Sequence, residues 1–431
     1  MQAKEIIQQN RDYTLFSWSV QSAVDPILVT RAEGVHFWDS NEKQYIDLSS
    51  GLVNLNLGHQ HPRLVKAIQD QAGKLCVIQP SMATEPRGRL GKLLMDVVPS
   101  NLKKAFFCTG GADANENAIK IARTFTKRTK LIARYKSYHG STLGVAALTG
   151  DYRRIPAEPT IPGVVHVFDP FCYRCPFGQA KETCHRECIK HVEAVVQNEG
   201  PSTIAAIFME GVTGIVNGLF VPPADYWPAI REICTKYGIM LVADEVMSGF
   251  GRTGKWFAVN HWDVKPDIMT IAKGLTSGYI PMGAVLISEA ISNFYEDKML
   301  SNGLTYSAHT LGCAVGCASI EAYKEEHLIE NSANLGKILG ECLEDMKARH
   351  PSVGDVRYIG LFSTIELVKD RVTKEPLVLP SIAKALKDRG ISTACPGNMI
   401  AITPPLVITE DQLRGALKIV DDVLNIADRS L

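Results

Sequence analysis

Apolar residues in this chain fall into two alternating patterns, short unbroken runs and longer stretches in which they recur every three or four positions. The runs Lys104–Cys108, Lys130–Tyr135, Ile204–Met209, Ile239–Ala243, Ile268–Ile271 and Ala284–Ile287 predict strands buried on both faces. The periodic stretches predict helices from Arg63 to about Lys74, over Glu85–Val98, around Asn117–Arg123, and over 225–237, 328–349, 380–389 and 410–428. Such alternation implies an α/β fold with a mostly parallel sheet. Ahead of it, Ala32–Asp47 alternates with a turn at Ser40-Asn41 and predicts a hairpin. Behind it, strands near Asp355–Leu367 and at Met399–Ile402 predict a small α/β lobe. The expected division is an N-terminal arm (1–60) contributing to the small domain, a large domain (61–312) and a C-terminal small domain (313–431). Pro159 to His191 reads as one long loop.

Lysine plus arginine and aspartate plus glutamate number 46 each, so charge gives no argument for nucleic acid or a membrane surface. No apolar run approaches the length of a membrane span, and no basic, then apolar leader opens the chain. A soluble cytoplasmic protein is expected. Most of the eleven cysteines stand singly in apolar surroundings and read as free thiols. Four do not: Cys172, Cys175, Cys184 and Cys188 are spaced C-x2-C-x8-C-x3-C, which offers either a structural zinc site or free loop thiols. Gly58-His59-Gln60-His61 lacks companion ligands and reads as a turn.

Two strands end on ionisable residues, Asp244 and Lys273, 29 positions apart. Ligands of open α/β sheets sit at the carboxyl ends of the strands, so an acid and an amine delivered there are site candidates. Thr109-Gly110-Gly111-Ala112 joins a strand to a helix, and the free N–H groups of such a turn suit a phosphate. An acid able to face a protonated pyridine nitrogen, an amine able to form a Schiff base and a phosphate cup are what pyridoxal 5'-phosphate requires.

Asp244-Glu-Val, Gly249-Phe-Gly-Arg-Thr-Gly254 and Lys273, in that order and spacing, resemble the class III aminotransferases, and the resemblance runs over nearly the whole chain. It implies the aspartate-aminotransferase-like fold type I, with a seven-stranded-type sheet, and pyridoxal phosphate held by Lys273 and Asp244. By the same resemblance Gly110, Gly111 and Ala112 form the phosphate cup, although Gly110 and Asp113 depart from the usual serine and glutamate. Tyr138 stacks on the ring, His139 completes that motif, and Glu210, Val246 and Met247 lie beside the cofactor. Thr305 crosses a homodimer interface to the partner's phosphate, so active sites are shared, in a dimer or a pair of dimers. Phe16, Trp18, Leu52 and Val53 line the substrate pocket.

Many such enzymes carry a carboxylate-gripping arginine before the Pro-Pro pair, but Gly390–Thr403 contains none, and Ala394 and Ala401 occupy that stretch. Arg153 and Arg154 are the candidate replacements. The run of motifs looks most like taurine and other ω-amino-acid transaminases, with taurine or β-alanine as donor and pyruvate or 2-oxoglutarate as acceptor. A transaminase of simple amines, a class III racemase or lyase, and a non-catalytic cofactor-binding regulator are the competing readings.

Overall fold

The structure is a computed structural model and describes residues 2–431. Its strands in chain order are β1 (Val29–Glu33), β2 (His36–Asp39), β3 (Gln44–Asp47), β4 (Leu102–Cys108), β5 (Lys130–Arg134), β6 (Val164–Val167), β7 (Ile204–Glu210) and β8 (Met240–Asp244). They continue as β9 (Ile268–Ile271), β10 (Gly283–Ser288), β11 (Val353–Ile359), β12 (Phe362–Leu367), β13 (Ile391–Ser392) and β14 (Met399–Ile402). Seven form the central sheet in the order β4-β10-β9-β8-β7-β5-β6, and only β10 runs against its neighbours.

Burial explains these positions. Every residue of β7 is buried, as is every residue of β9, which unbroken apolar runs permit only between two helical layers. One core packs against the sheet through Trp227, Ile230 and Leu241, the other through Ala118, Ile121 and Phe208. The fold-type-I α/β architecture, a seven-stranded mixed sheet with a small C-terminal α/β lobe, is therefore as the sequence implied. The lobe holds the antiparallel sheet β11-β12-β14.

One local expectation is corrected and two are extended. The stretch 159–191 is not one loop, because Val164–Val167 pairs in parallel with β5 as the sheet edge and Glu187–Glu199 is helical. Four residues between prolines are too short to show a period. The Ala32–Asp47 hairpin is the later part of a three-stranded meander, and β13 joins β3 in parallel. The first residues add a helix, Ala3–Tyr13, none of whose residues is buried.

Arg252 ties these parts together. It is fully buried and donates to the Leu361 carbonyl at 3.0 Å, the Pro404 carbonyl at 2.5 Å, Ser50 Oγ at 3.1 Å and Asn56 Oδ1 at 2.8 Å. Removing the guanidinium strands those acceptors in a dry interior. We expect Arg252→Ala to cost about 3 kcal/mol or more in a denaturant titration; a loss under about 1 kcal/mol would show that the lobes are joined by other means.

Candidate active site

The carboxyl ends of β4, β7, β8 and β9 meet at a cavity of about 450 Å³, and its walls include Gly110, Gly111, Ala112, Tyr138, His139, Glu210, Asp244, Val246, Met247 and Lys273. These residues lie far apart in sequence, and parallel strands bring them to one edge. Leu52 and Asn54 close one side from the N-terminal arm.

Asp244 is only 4% exposed, and its carboxylate is held from three directions. Oδ2 accepts from Asn115 Nδ2 at 2.8 Å and from His139 Nδ1 at 2.7 Å, while Oδ1 accepts the Val246 N–H at 3.0 Å. A carboxylate partner requires the proton on His139 Nδ1. Asn115 is itself fixed, donating to the His139 carbonyl at 2.8 Å and accepting from Thr270 Oγ1 at 2.8 Å. The charge is thereby oriented without being neutralised by a cation, which suits it to hold a proton on a ring nitrogen.

The helix Gly111–Thr126 opens on the cavity, and no side chain caps its first amides. The Asp113 carboxylate instead accepts from Thr109 N–H and Oγ1, both at 2.9 Å. Close packing demands small residues here. A Cβ at Gly111 would come within 2.8 Å of Val246 Cγ1, and one at Gly140, where φ is 140°, within 2.6 Å of Ala112 Cβ. An uncapped helix start at a glycine cradle is an anion site.

Lys273 follows β9 at φ 39°, a left-handed conformation that is costly for a lysine. Burial lowers its amine to about 8; Asp244 and Glu210 oppose that shift, and Arg252 and Arg153 add to it. The amine is thus available unprotonated near neutral pH. Glu210 pairs in register with Asp244 on the neighbouring strand, and burial raises its carboxyl to about 7. A reactive amine, an oriented carboxylate and an anion cradle around one cavity fit pyridoxal phosphate.

Outside this group the predicted residues divide. The Arg153 guanidinium lies 3.8 Å from the Tyr138 ring centroid, and Trp18 meets the same ring edge-on at 6.3 Å. Arg153 is oriented by Asp151, with Nε at 3.1 Å from Oδ1 and Nη2 at 2.6 Å from Oδ2. Arg154 does not join it, pairing with Glu158 at 2.8 Å. Val53 does not line the pocket either: it is buried with Val212, Ile215, Phe362 and Ala401. Phe16 is half-buried and absent from the cavity wall, where its backbone and the Gln21 amide bond each other. Thr305 is exposed and also outside the wall.

Cys172, Cys175, Cys184 and Cys188 are free, and among the described residues no three His, Cys, Asp or Glu side chains converge to hold a metal ion. Sequence reasoning missed Asn115 and Asn54. Asn115 lies one turn into the phosphate helix, and that spacing was the available signal.

With the amine near pH 8, capture of pyridoxal phosphate by the apoenzyme should speed up as pH rises and level off above about 8, because only the unprotonated amine attacks. Absorbance after mixing checks this, and borohydride reduction should leave the label on Lys273. Label on another lysine would remove the assignment.

Comparison with known proteins agrees with the geometry. Residues 18–424 match the class-III aminotransferase family. The taurine:2-oxoglutarate aminotransferase of Bifidobacterium kashiwanohense, solved in complex with PLP and glutamate, is 41% identical with a TM-score of 0.96, covering 100% of this chain and 99% of that one. The leucine/methionine racemase of Thermococcus litoralis is 36% identical over 96% of this chain and 93% of its own length. The taurine–pyruvate aminotransferase of Bilophila wadsworthia is 32% identical over 94% of each. The chain belongs to the class-III aminotransferases, and its cofactor is pyridoxal 5'-phosphate.

Proposed function

We propose that this enzyme transfers the amino group of an ω-amino acid, such as taurine or β-alanine, to pyruvate or 2-oxoglutarate. The observation that carries the substrate class is the Arg153 guanidinium, paired with Asp151 and stacked on Tyr138, whose side chain lines the pocket with Lys273 although Arg153 itself stands outside the wall. No arginine comes from the stretch before Pro404-Pro405. Ala394 and Ala401 there belong to an apolar cluster with Val53 and Val212. Arg252 is committed to its four acceptors, which leaves Arg153 to meet an acid group through charge-assisted hydrogen bonds.

Pyridoxal phosphate, when bound, supplies an aldehyde that accepts the amino group and a ring that takes up electron density. Lys273 holds the aldehyde, and its released amine moves a proton at the donor's amine-bearing carbon. Asp244 keeps the ring nitrogen protonated. Tyr138 covers one face and excludes water, while the amides at Gly110–Ala112 grip the phosphate.

Thr305, exposed in one chain beside the exposed Tyr306, reaches a phosphate only in a partner; a homodimer with shared sites follows from that reading. No helix among the described residues is long and apolar enough to cross a membrane, and all eleven cysteines are free, as a cytoplasmic enzyme requires.

The likeness to a racemase favours one second reading, inversion at an amino-acid carbon. Mixing the holoenzyme with donor alone separates them. A transaminase consumes one equivalent of cofactor aldehyde and stops, whereas a racemase regenerates it. For the acid group, Arg153→Ala should lower kcat/KM for taurine or β-alanine by about tenfold or more and leave a chain-matched uncharged amine within about threefold. Equal losses on both donors would mean that Arg153 supports Tyr138 rather than the substrate.

A further inference from the structure

Behind the cofactor pocket, polar groups are buried without partners around one guanidinium. Arg134 is fully buried, and its Nη2 donates to the Glu210 carbonyl at 3.0 Å. The same nitrogen stands 3.8 Å from Glu210 Oε2, and Nε stands 3.9 Å from Asp169 Oδ1. Neither gap is a hydrogen bond. Arg134 Nε and Nη1, Glu210 Oε2, Asp169 Oδ1 and the Tyr226 hydroxyl all lack protein partners. Both carboxylates are thus ion-paired to Arg134 without a hydrogen bond to it, and the unpaired atoms around the guanidinium are polar partners that an ordered water would satisfy.

The two carboxyl groups open in different directions. Glu210 lines the cofactor cavity. Asp169, 4% exposed, lines a separate cleft of about 460 Å³ between the Asp151–Tyr152 turn and the Phe168–Pro176 segment. The Tyr135, Tyr152 and Phe168 side chains on that cleft are substantially exposed, so it meets solvent. We propose that Glu210, water held by the Arg134 guanidinium and Asp169 form a proton path from the amine pocket to this second cleft.

The proposal rests on the transaminase reading, because an amine donor enters as an ammonium ion at neutral pH and must lose a proton before it attacks. A donor seated in the pocket also obstructs its mouth. The ammonium N–H proton passes to the Glu210 carboxylate and leaves a neutral amine. The Glu210 carboxyl passes a proton through bridging water to the Asp169 carboxylate, and Asp169 releases one to solvent; no electrons are exchanged. Arg134 keeps its own proton throughout and orients the water.

Both groups are suited to hold a proton briefly. Burial raises Glu210 to about 7, against Arg134 and His139 and with Asp244 adding to it, while the Lys273 amine also faces it. Burial raises Asp169 to about 6, opposed by Arg134 and Lys136, and the Tyr226 hydroxyl stands nearby. Transfer from Glu210 to Asp169 is therefore uphill by about one pH unit, and release from the more acidic Asp169 into neutral solvent draws the proton outward.

The test follows the amine half-reaction of the holoenzyme by stopped-flow absorbance. In dilute buffer Asp169→Asn should be slower by ~10-fold, with unchanged cofactor absorbance, and imidazole or formate should restore the rate in proportion to concentration. A rate within ~2-fold of wild type, or a loss that these small buffers do not relieve, overturns the path. A purely structural role predicts no such rescue. Infrared spectra give a second readout that is independent of folding of the Asp169 variant and of turnover. The protonated-carboxyl absorption near pH 7 should shrink in Glu210→Gln to the part that Glu245 contributes; an absorption unchanged by that substitution overturns the proposal. A donor that the wild type does not convert at all counts instead against the transaminase reading, and the infrared band then decides the path.

Discussion

One negative charge held dry at the end of β8 governs the arrangement around it. A carboxylate in an apolar sheet edge is costly unless several donors meet it. Asp244 meets that condition with Asn115 from the phosphate helix, His139 from the turn after β5 and the N–H of Val246 from its own chain. Each donor fixes the element that carries it. The glycine-lined start of the helix, the turn that carries Tyr138 and the strand end that delivers Asp244 are therefore positioned by the same few bonds, and the distance between helix start and acid is set by packing rather than by loop conformation.

Charge elsewhere in the pocket is balanced in layers. Lys273 is pushed toward its neutral form by burial, and the two carboxyl groups at the ends of β7 and β8 limit that shift. Glu245, adjacent to Asp244, has a different duty. It is fully buried, accepts from Ser248 Oγ at 2.6 Å and from the Ala258 and Val259 amides at 3.0 and 2.8 Å, and so anchors the segment after the catalytic turn. Neighbouring acids thus serve chemistry and architecture separately, according to which groups donate to them.

Much of this was legible in the sequence because the chemistry sits where apolar runs stop. Asp244 and Glu210 end strands, Lys273 follows one by two residues, and the glycine turn at Gly110-Gly111 precedes a periodic helix, so strand ends and motif together located the cavity. Arg134 was hidden for the converse reason: it ends β5 like any solvated strand-terminal arginine, and only the sheet order places Asp169 and Glu210 on either side of it. Val53 was misplaced because Leu52 and Val53 are adjacent, and the backbone turns between them, sending one side chain to the pocket and the other into the core. Edge strand β6 carries no periodic signal at four residues.

The sheet that joins β3 to β13 has a consequence for synthesis. Leu48 N–H donates to the Ser392 carbonyl, Thr403 N–H to the Leu48 carbonyl and Ser50 Oγ to the Thr403 carbonyl, at 2.8, 2.7 and 2.6 Å. Leu52 and Asn54, which wall the cavity, follow directly on these bonds. Leu48 and Ser50 are therefore locked by Ser392 and Thr403, which are made long after them. A chain still on the ribosome, or one ended prematurely before residue 392, can close the central sheet yet leave the pocket wall unfastened. Synthesis through Thr403 is therefore needed before the pocket wall can be fastened, and products ending earlier lack a finished pocket.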